Sequence, residues 1–143
     1  MWEKQTKKAF IGVTKEAIWE VLSDVNRWPT WNPDMESCSL QGPFEEGVKF
    51  EIKAKNLPSV TLTIEKIIEN RCLIDCAHLP GAKMYGKHEI YEIEGGVELV
   101  TTISITGLNS KMWVSILGEK VAGKSAKQMD DLVSRVINNG LPS

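Results

Sequence analysis

The chain has 143 residues, of which 42% are hydrophobic and 25% charged, and its formal net charge is −2. That length fits one domain, spanning 1–143, with the mix of a globular protein that buries roughly two-thirds of its unfolded surface. The charge argues against a broad nucleic-acid or anionic-membrane surface, and no apolar run approaches the roughly 20 residues of a membrane helix.

The chain opens Met1-Trp2-Glu3-Lys4-Gln5-Thr6-Lys7-Lys8, with no apolar signal core behind it. Cys38, Cys72 and Cys76 form an odd, sparse set, which fits a reducing cytoplasm better than a disulfide framework. There is no Walker loop, dinucleotide fingerprint or HExxH, so no cofactor is expected.

Residues Lys4 to Gly12 alternate and read as a first strand. Thr14 is a good N-cap, and Ala17, Ile18, Val21 and Leu22 then repeat at helical spacing to about Asp24. A second short helical piece, Val25 to Trp31, carries Pro29 and stops at Asn32-Pro33. Strands follow. Val48, Phe50, Ile52 and Ala54 alternate with charged residues, and Val60, Leu62 and Ile64 alternate with Ser59, Thr61 and Thr63. The pattern slips at Ile67-Ile68, which predicts a bulge or turn nearby.

The next strand puts Cys72, Ile74, Cys76 and His78 on one face and Leu73, Asp75 and Ala77 on the other, so its register is open. Pro80-Gly81 breaks the chain after Leu79. Gly86, His88 and Ile90 alternate with Lys87, Glu89 and Tyr91, and Glu94-Gly95-Gly96 signals a hairpin. Leu99, Thr101, Ile103 and Ile105 share a face of the last strand, which Gly107 ends.

From about Ser110 to Asn138 the period is helical, with Val114, Leu117, Val121, Met129, Leu132 and Val136 in one stripe and Ser125 and Gln128 beside them. At about 1.5 Å per residue this helix runs roughly 43 Å. Its middle is small: Gly118, Ala122, Gly123, Ser125 and Ala126 leave room against a sheet or let the helix bend. Asn139-Gly140 and Pro142 supply a stop. The order predicts an α+β fold: a curved antiparallel sheet of about seven strands around a long C-terminal helix, with two short helices after the first strand.

Ala17-Ile18-Trp19-Glu20-Val21-Leu22-Ser23-Asp24 followed by Trp28-Pro29-Thr30-Trp31-Asn32, the glycine-flanked turn from Gly42 into Phe50, and Gly95-Gly96 with Thr106-Gly107 around the last strand occur in a telling order. With these motifs the chain resembles the START-like (SRPBCC, birch-pollen-allergen-like) superfamily and its polyketide cyclase/dehydrase-like branch, over nearly its whole length. The resemblance implies a helix-grip fold with a deep, mostly apolar pocket between sheet and long helix. Members of such a family bind lipids, sterols, polyketides or other hydrophobic small molecules. Some are aromatase/cyclases, some carriers, and some act on a chaperone ATPase. No catalytic set is shared across them, and fold alone does not fix function.

The expected ligand-binding residues are Trp31, Phe50, Ile52, Leu62, Ile64, Ile74, Cys76, His88, Ile90, Leu99, Thr101, Ile103, Leu117, Val121, Ser125 and Met129. His88 is either a buried neutral histidine or a proton-transfer group needing a partner, with Ser125, Gln128 and Tyr85 the candidates. Trp28 and Trp31 either both pin the short helices to the sheet edge, or Trp31 instead offers a flat surface at the pocket mouth. Asp75 and Arg71 stand too far apart along one strand to touch. No metal site is expected, because Cys72 and Cys76, four apart in a strand, lie about 13 Å from each other. The leading reading is a binder of a hydrophobic or aromatic amphipathic molecule. The alternatives are a cyclase or dehydratase using His88 and a protein-interaction module, for which no protein partner is identified.

Overall fold

In this computed structural model the structure describes residues 1–139. Gly140 and Pro142 of the expected helix stop lie outside them. Seven strands form one antiparallel sheet: β1 (Trp2–Ile11), β2 (Met35–Leu40), β3 (Lys49–Ala54), β4 (Val60–Ile68), β5 (Cys72–Leu79), β6 (Ala82–Ile93) and β7 (Gly96–Thr106). Their order across the sheet is β1-β7-β6-β5-β4-β3-β2. Each strand from β2 to β7 therefore pairs with its neighbour in sequence, and β1 returns to the far edge on β7.

Helix α1 (Lys15–Ser23) and a 3₁₀ helix (Val25–Thr30) carry the chain from β1 to β2. Thr14 caps α1 as its sequence predicts, its side chain accepting from the Ala17 amide at 3.2 Å. Ile18, Trp19, Val21 and Leu22 make the buried face. Trp28 is buried edge-on against Phe50, with ring centroids 5.6 Å apart, and donates its indole N–H to the Leu22 carbonyl at 2.9 Å. The sheet edge is thus pinned where the sequence places the pin.

The C-terminal helical stretch begins at Ser110 and is not uniform. It runs as α2 (Ser110–Trp113), a π segment (Val114–Gly118), α3 (Glu119–Gly123) and α4 (Ser125–Asn139). Trp113 Nε1 donates to the Pro80 carbonyl at 2.9 Å, fastening the start of this stretch to the β5–β6 turn. Gly118 lies close to the sheet: a Cβ there would stand 3.1 Å from both Ile105 Cδ1 and Trp2 Cζ3. Gly123 meets nothing within 4 Å. One small residue permits close packing, and the other marks the break before α4.

Inward-facing rows run across the strands in register. One row is Phe50, Leu62, Ala77, Met84, Ile105 and Trp2, and the next is Ile64, Asp75, Gly86 and Ile103. The bulge falls between Ile64 and Lys66, just before the sequence slip. The inward face of β5 is therefore Leu73, Asp75 and Ala77. Ile74 and Cys76 stand on the outer face, where the expectation of pocket walls fails. Leu73 and Ala77 are apolar enough to serve as core, so a one-residue choice of register moved every side chain of the strand.

Candidate functional site

Between the sheet, α1, the 3₁₀ helix and the C-terminal stretch lies a cavity of about 170 Å³. Trp31, Ile52, Leu62, His88, Ile90, Leu99, Thr101, Ile103, Leu117, Val121, Ser125 and Met129 line it, drawn from β3, β4, β6, β7 and the helical side as the alternation predicts. Phe50 and Ile64 do not. Both face inward but are fully packed in solid core, Phe50 beneath Trp28. Ile74 and Cys76 are absent from the wall because β5 presents its other face.

The face that β5 does present contributes Asp75. The residue is 7% exposed and lines the cavity. Asp75 Oδ2 lies 3.6 Å from His88 Nε2, close enough for an ion pair but too long for a hydrogen bond. Gly86 faces Asp75 across the β5–β6 pairing, and a Cβ there would stand 2.8 Å from Asp75 Oδ1. The glycine is what leaves the carboxylate its room. Tyr85 pairs with Cys76 and belongs to the other face.

Thr101 stands beside His88 in the β6–β7 register, and Ser125 and Gln128 approach from the helix. A patch of Asp75, His88 and Thr101 is thus set into walls of Ile, Leu, Met and Val. Trp31 also lines the cavity. Its Nε1 is buried and has no hydrogen-bond partner among the described residues. An orphan donor of this kind costs about 1–3 kcal/mol. Asp34 also lines the cavity, and Lys127 on α4 reaches it at 3.7 Å and Asp131 at 2.9 Å. The Asp131 and Asp34 carboxylates raise the Lys127 ammonium above its usual range. An exposed link of this kind contributes little to stability.

Sequence reasoning missed Asp75 by taking its strand the other way round. A signal was present, since Asp75 is the one charged residue within an otherwise apolar run, Cys72-Leu73-Ile74-Asp75-Cys76-Ala77. A carboxylate at such a position is either on a wet face or in a site.

The cavity combines apolar walls with a few convergent polar groups, the usual make-up of a small-molecule site. No helix among the described residues is long and apolar enough to cross a membrane. A family model described as polyketide cyclase / dehydrase and lipid transport matches residues 4–136. No curated protein matches the chain by sequence. Among solved structures, the chain is similar to Ara h 8.0201, with a TM-score of 0.77 at 14% identity over 96% of this chain and 98% of that one. It is similar to the Zhui aromatase/cyclase from Streptomyces sp. R1128, with a TM-score of 0.74 at 13% identity over 94% of each chain. Norcoclaurine synthase from Thalictrum flavum, solved in complex with dopamine and hydroxybenzaldehyde, gives a TM-score of 0.72 at 10% identity over 99% of this chain and 90% of that one. At these identities the likenesses establish the helix-grip fold.

Proposed function

The chain belongs to the polyketide cyclase / dehydrase and lipid transport family, and from that membership we propose that it encloses an aromatic or hydrophobic amphipathic small molecule between the sheet and the C-terminal helix. The observation that carries this reading is the cavity of about 170 Å³, apolar in its walls and polar at Asp75, His88 and Thr101. An engineered apolar cavity of roughly 150 Å³ takes up benzene, so this one suits a single aromatic ring with a short polar tail. Wall burial supplies affinity at about 25 cal/mol per Å² of apolar area, and the polar groups fix orientation. The neighbouring norcoclaurine synthase is itself held in complex with two small aromatic molecules, which supports a ligand of this class.

The test is native mass spectrometry of protein purified from its own cells, followed by a thermal-stabilisation screen of phenols, aromatic aldehydes and short acyl compounds. A co-purifying molecule, or a hit that saturates, supports the reading. A ligand at about 100 times its Kd adds about 2.7 kcal/mol of stability. An empty protein that no compound stabilises overturns it.

The His88–Asp75 pair favours a second reading, in which the enclosed molecule is also transformed. A carboxylate 3.6 Å from an imidazole stabilises the ring's protonated form by charge. His88 would then move a proton on a carbonyl or phenol substrate while Thr101 positions its oxygen. His88→Ala is expected to keep ligand affinity within a few-fold and abolish turnover. Full turnover in that variant removes the proposed base.

A further inference from the structure

The outer face of the sheet, on the far side from the cavity, carries a cluster that the ligand site does not use. Cys76 and His78 are two apart on β5, so both project from that face. Glu65 joins them from β4, where the bulge between Ile64 and Lys66 leaves it as the extra, unpaired residue of its strand. The Cys76 sulfur, a His78 ring nitrogen and a Glu65 carboxylate oxygen all lie within 4.8 Å of one another. Cys72, the other cysteine of the strand, is not among them, as the strand rise requires.

We propose that Glu65, Cys76 and His78 form a divalent-cation site of the zinc-binding type on the outer face of the sheet. The donor set is chemically suited to it. One thiolate, one imidazole and one carboxylate are the borderline ligands that zinc takes, and their two negative charges balance the ion's two positive ones. Tetrahedral zinc with bonds of about 2.0–2.3 Å needs its ligand atoms roughly 3.3–3.8 Å apart, so a cluster within 4.8 Å contracts by at most about 1–1.5 Å. Glu65 and His78 are exposed and free to swing inward, whereas Cys76 is fully buried and fixed. Three protein ligands leave the fourth position to water.

The surroundings agree in part with this role. Burial raises the Cys76 thiol above its ordinary value, and the Glu65 carboxylate adds to the effect. The Tyr85 side chain opposite Cys76 and the Lys83 ammonium oppose it, both favouring the ionised sulfur. Metal binding must therefore expel a proton from Cys76. Lys83 also pairs opposite His78, so the local field does not attract cations, and affinity rests on the coordinate bonds. Tyr85 stands where an outer-shell partner to the sulfur would stand, and such partners are worth about 10–100-fold in metal affinity.

Cobalt(II) is the probe, added to the metal-free full-length protein. The expected result is a near-ultraviolet thiolate-to-cobalt charge-transfer band with visible bands of four-coordinate intensity, both bleached by one equivalent of zinc. Cys76→Ser removes the charge-transfer band, and a Cys38→Ser/Cys72→Ser variant keeps it. His78→Gln and Glu65→Gln, both at exposed positions that leave the fold intact, each weaken cobalt binding by at least tenfold. Absence of the band at saturating cobalt overturns the proposal. So does a band that survives Cys76→Ser, or unchanged affinity in both the His78 and Glu65 variants.

Discussion

Asp75 stands at a position where an apolar residue would be more stable. Its carboxylate is buried among apolar walls, with the His88 imidazole 3.6 Å away as its nearest basic neighbour. Burying a charge without full hydrogen bonding is costly, and groups kept at such a cost cluster at sites. Asp75→Asn is therefore expected to leave stability unchanged or raise it by about 1 kcal/mol while weakening ligand binding at least tenfold. Chemical denaturation beside a binding titration checks both halves, and a strongly destabilised variant would show the carboxylate to be structural. Gly86→Ala presses a methyl group on the same carboxylate and should weaken binding at a cost of about 1–3 kcal/mol. Cys38 yields a pH prediction. Burial pushes its thiol from 9.0 up to about 12, so the folded state holds the proton longer than the unfolded chain. The stabilisation is complete below the unfolded value and is lost as pH climbs between the two. Urea midpoints at mildly and strongly alkaline pH should fall more for the natural protein than for Cys38→Ala. At this scale most of the cavity wall was legible from alternation alone, as with Leu99, Thr101 and Ile103. Asp75 was not, because both faces of its strand are apolar and period two cannot then tell inside from outside.

The elements were legible where capping or turn chemistry marked them. Thr14, Pro80-Gly81 and Gly95-Gly96 each fall where the structure changes direction. β2, Met35–Leu40, carries no clean alternation and was not placed by residue, although the count of about seven strands required it. The C-terminal stretch read as one helix of period 3.6, and its π segment and its break before Ser125 left no mark in the apolar stripe. Its two glycines separate the two uses of small residues. Gly123→Ala enters open space and should raise stability by about 0.5–1 kcal/mol through helix propensity and a less flexible unfolded chain. Gly118→Ala gains the same propensity but crowds Trp2 and Ile105, so its net change should be smaller or negative. Thermal unfolding of the pair decides it, and equal effects would mean that the close approach at Gly118 carries no energetic weight.

Across the whole molecule, sheet and helix set the size of what can be enclosed. A cavity of about 170 Å³ fits one ring well and a fused tetracycle poorly unless the helix moves off the sheet. In a series from phenol through naphthol to larger fused phenols, stabilisation should peak early, and hydrogen exchange in α2 and α3 should rise for any larger member that binds. A steady gain with ring number and no change in exchange would mean that the mouth, open to solvent, does the accommodating. The placement of β1 bears on how the chain reaches this state. Trp2 pairs with Ile105 and Ile11 with Gly96, so β1 finds its partner only after β7, some ninety residues later in the chain, has been synthesised. Until then β1 waits as an unpaired edge while the meander from β2 to β7 assembles beside it. Such distant pairing slows folding and prolongs exposure of an aggregation-prone strand. The lysines at positions 4, 7 and 8 give that waiting strand a charge that discourages pairing with another copy.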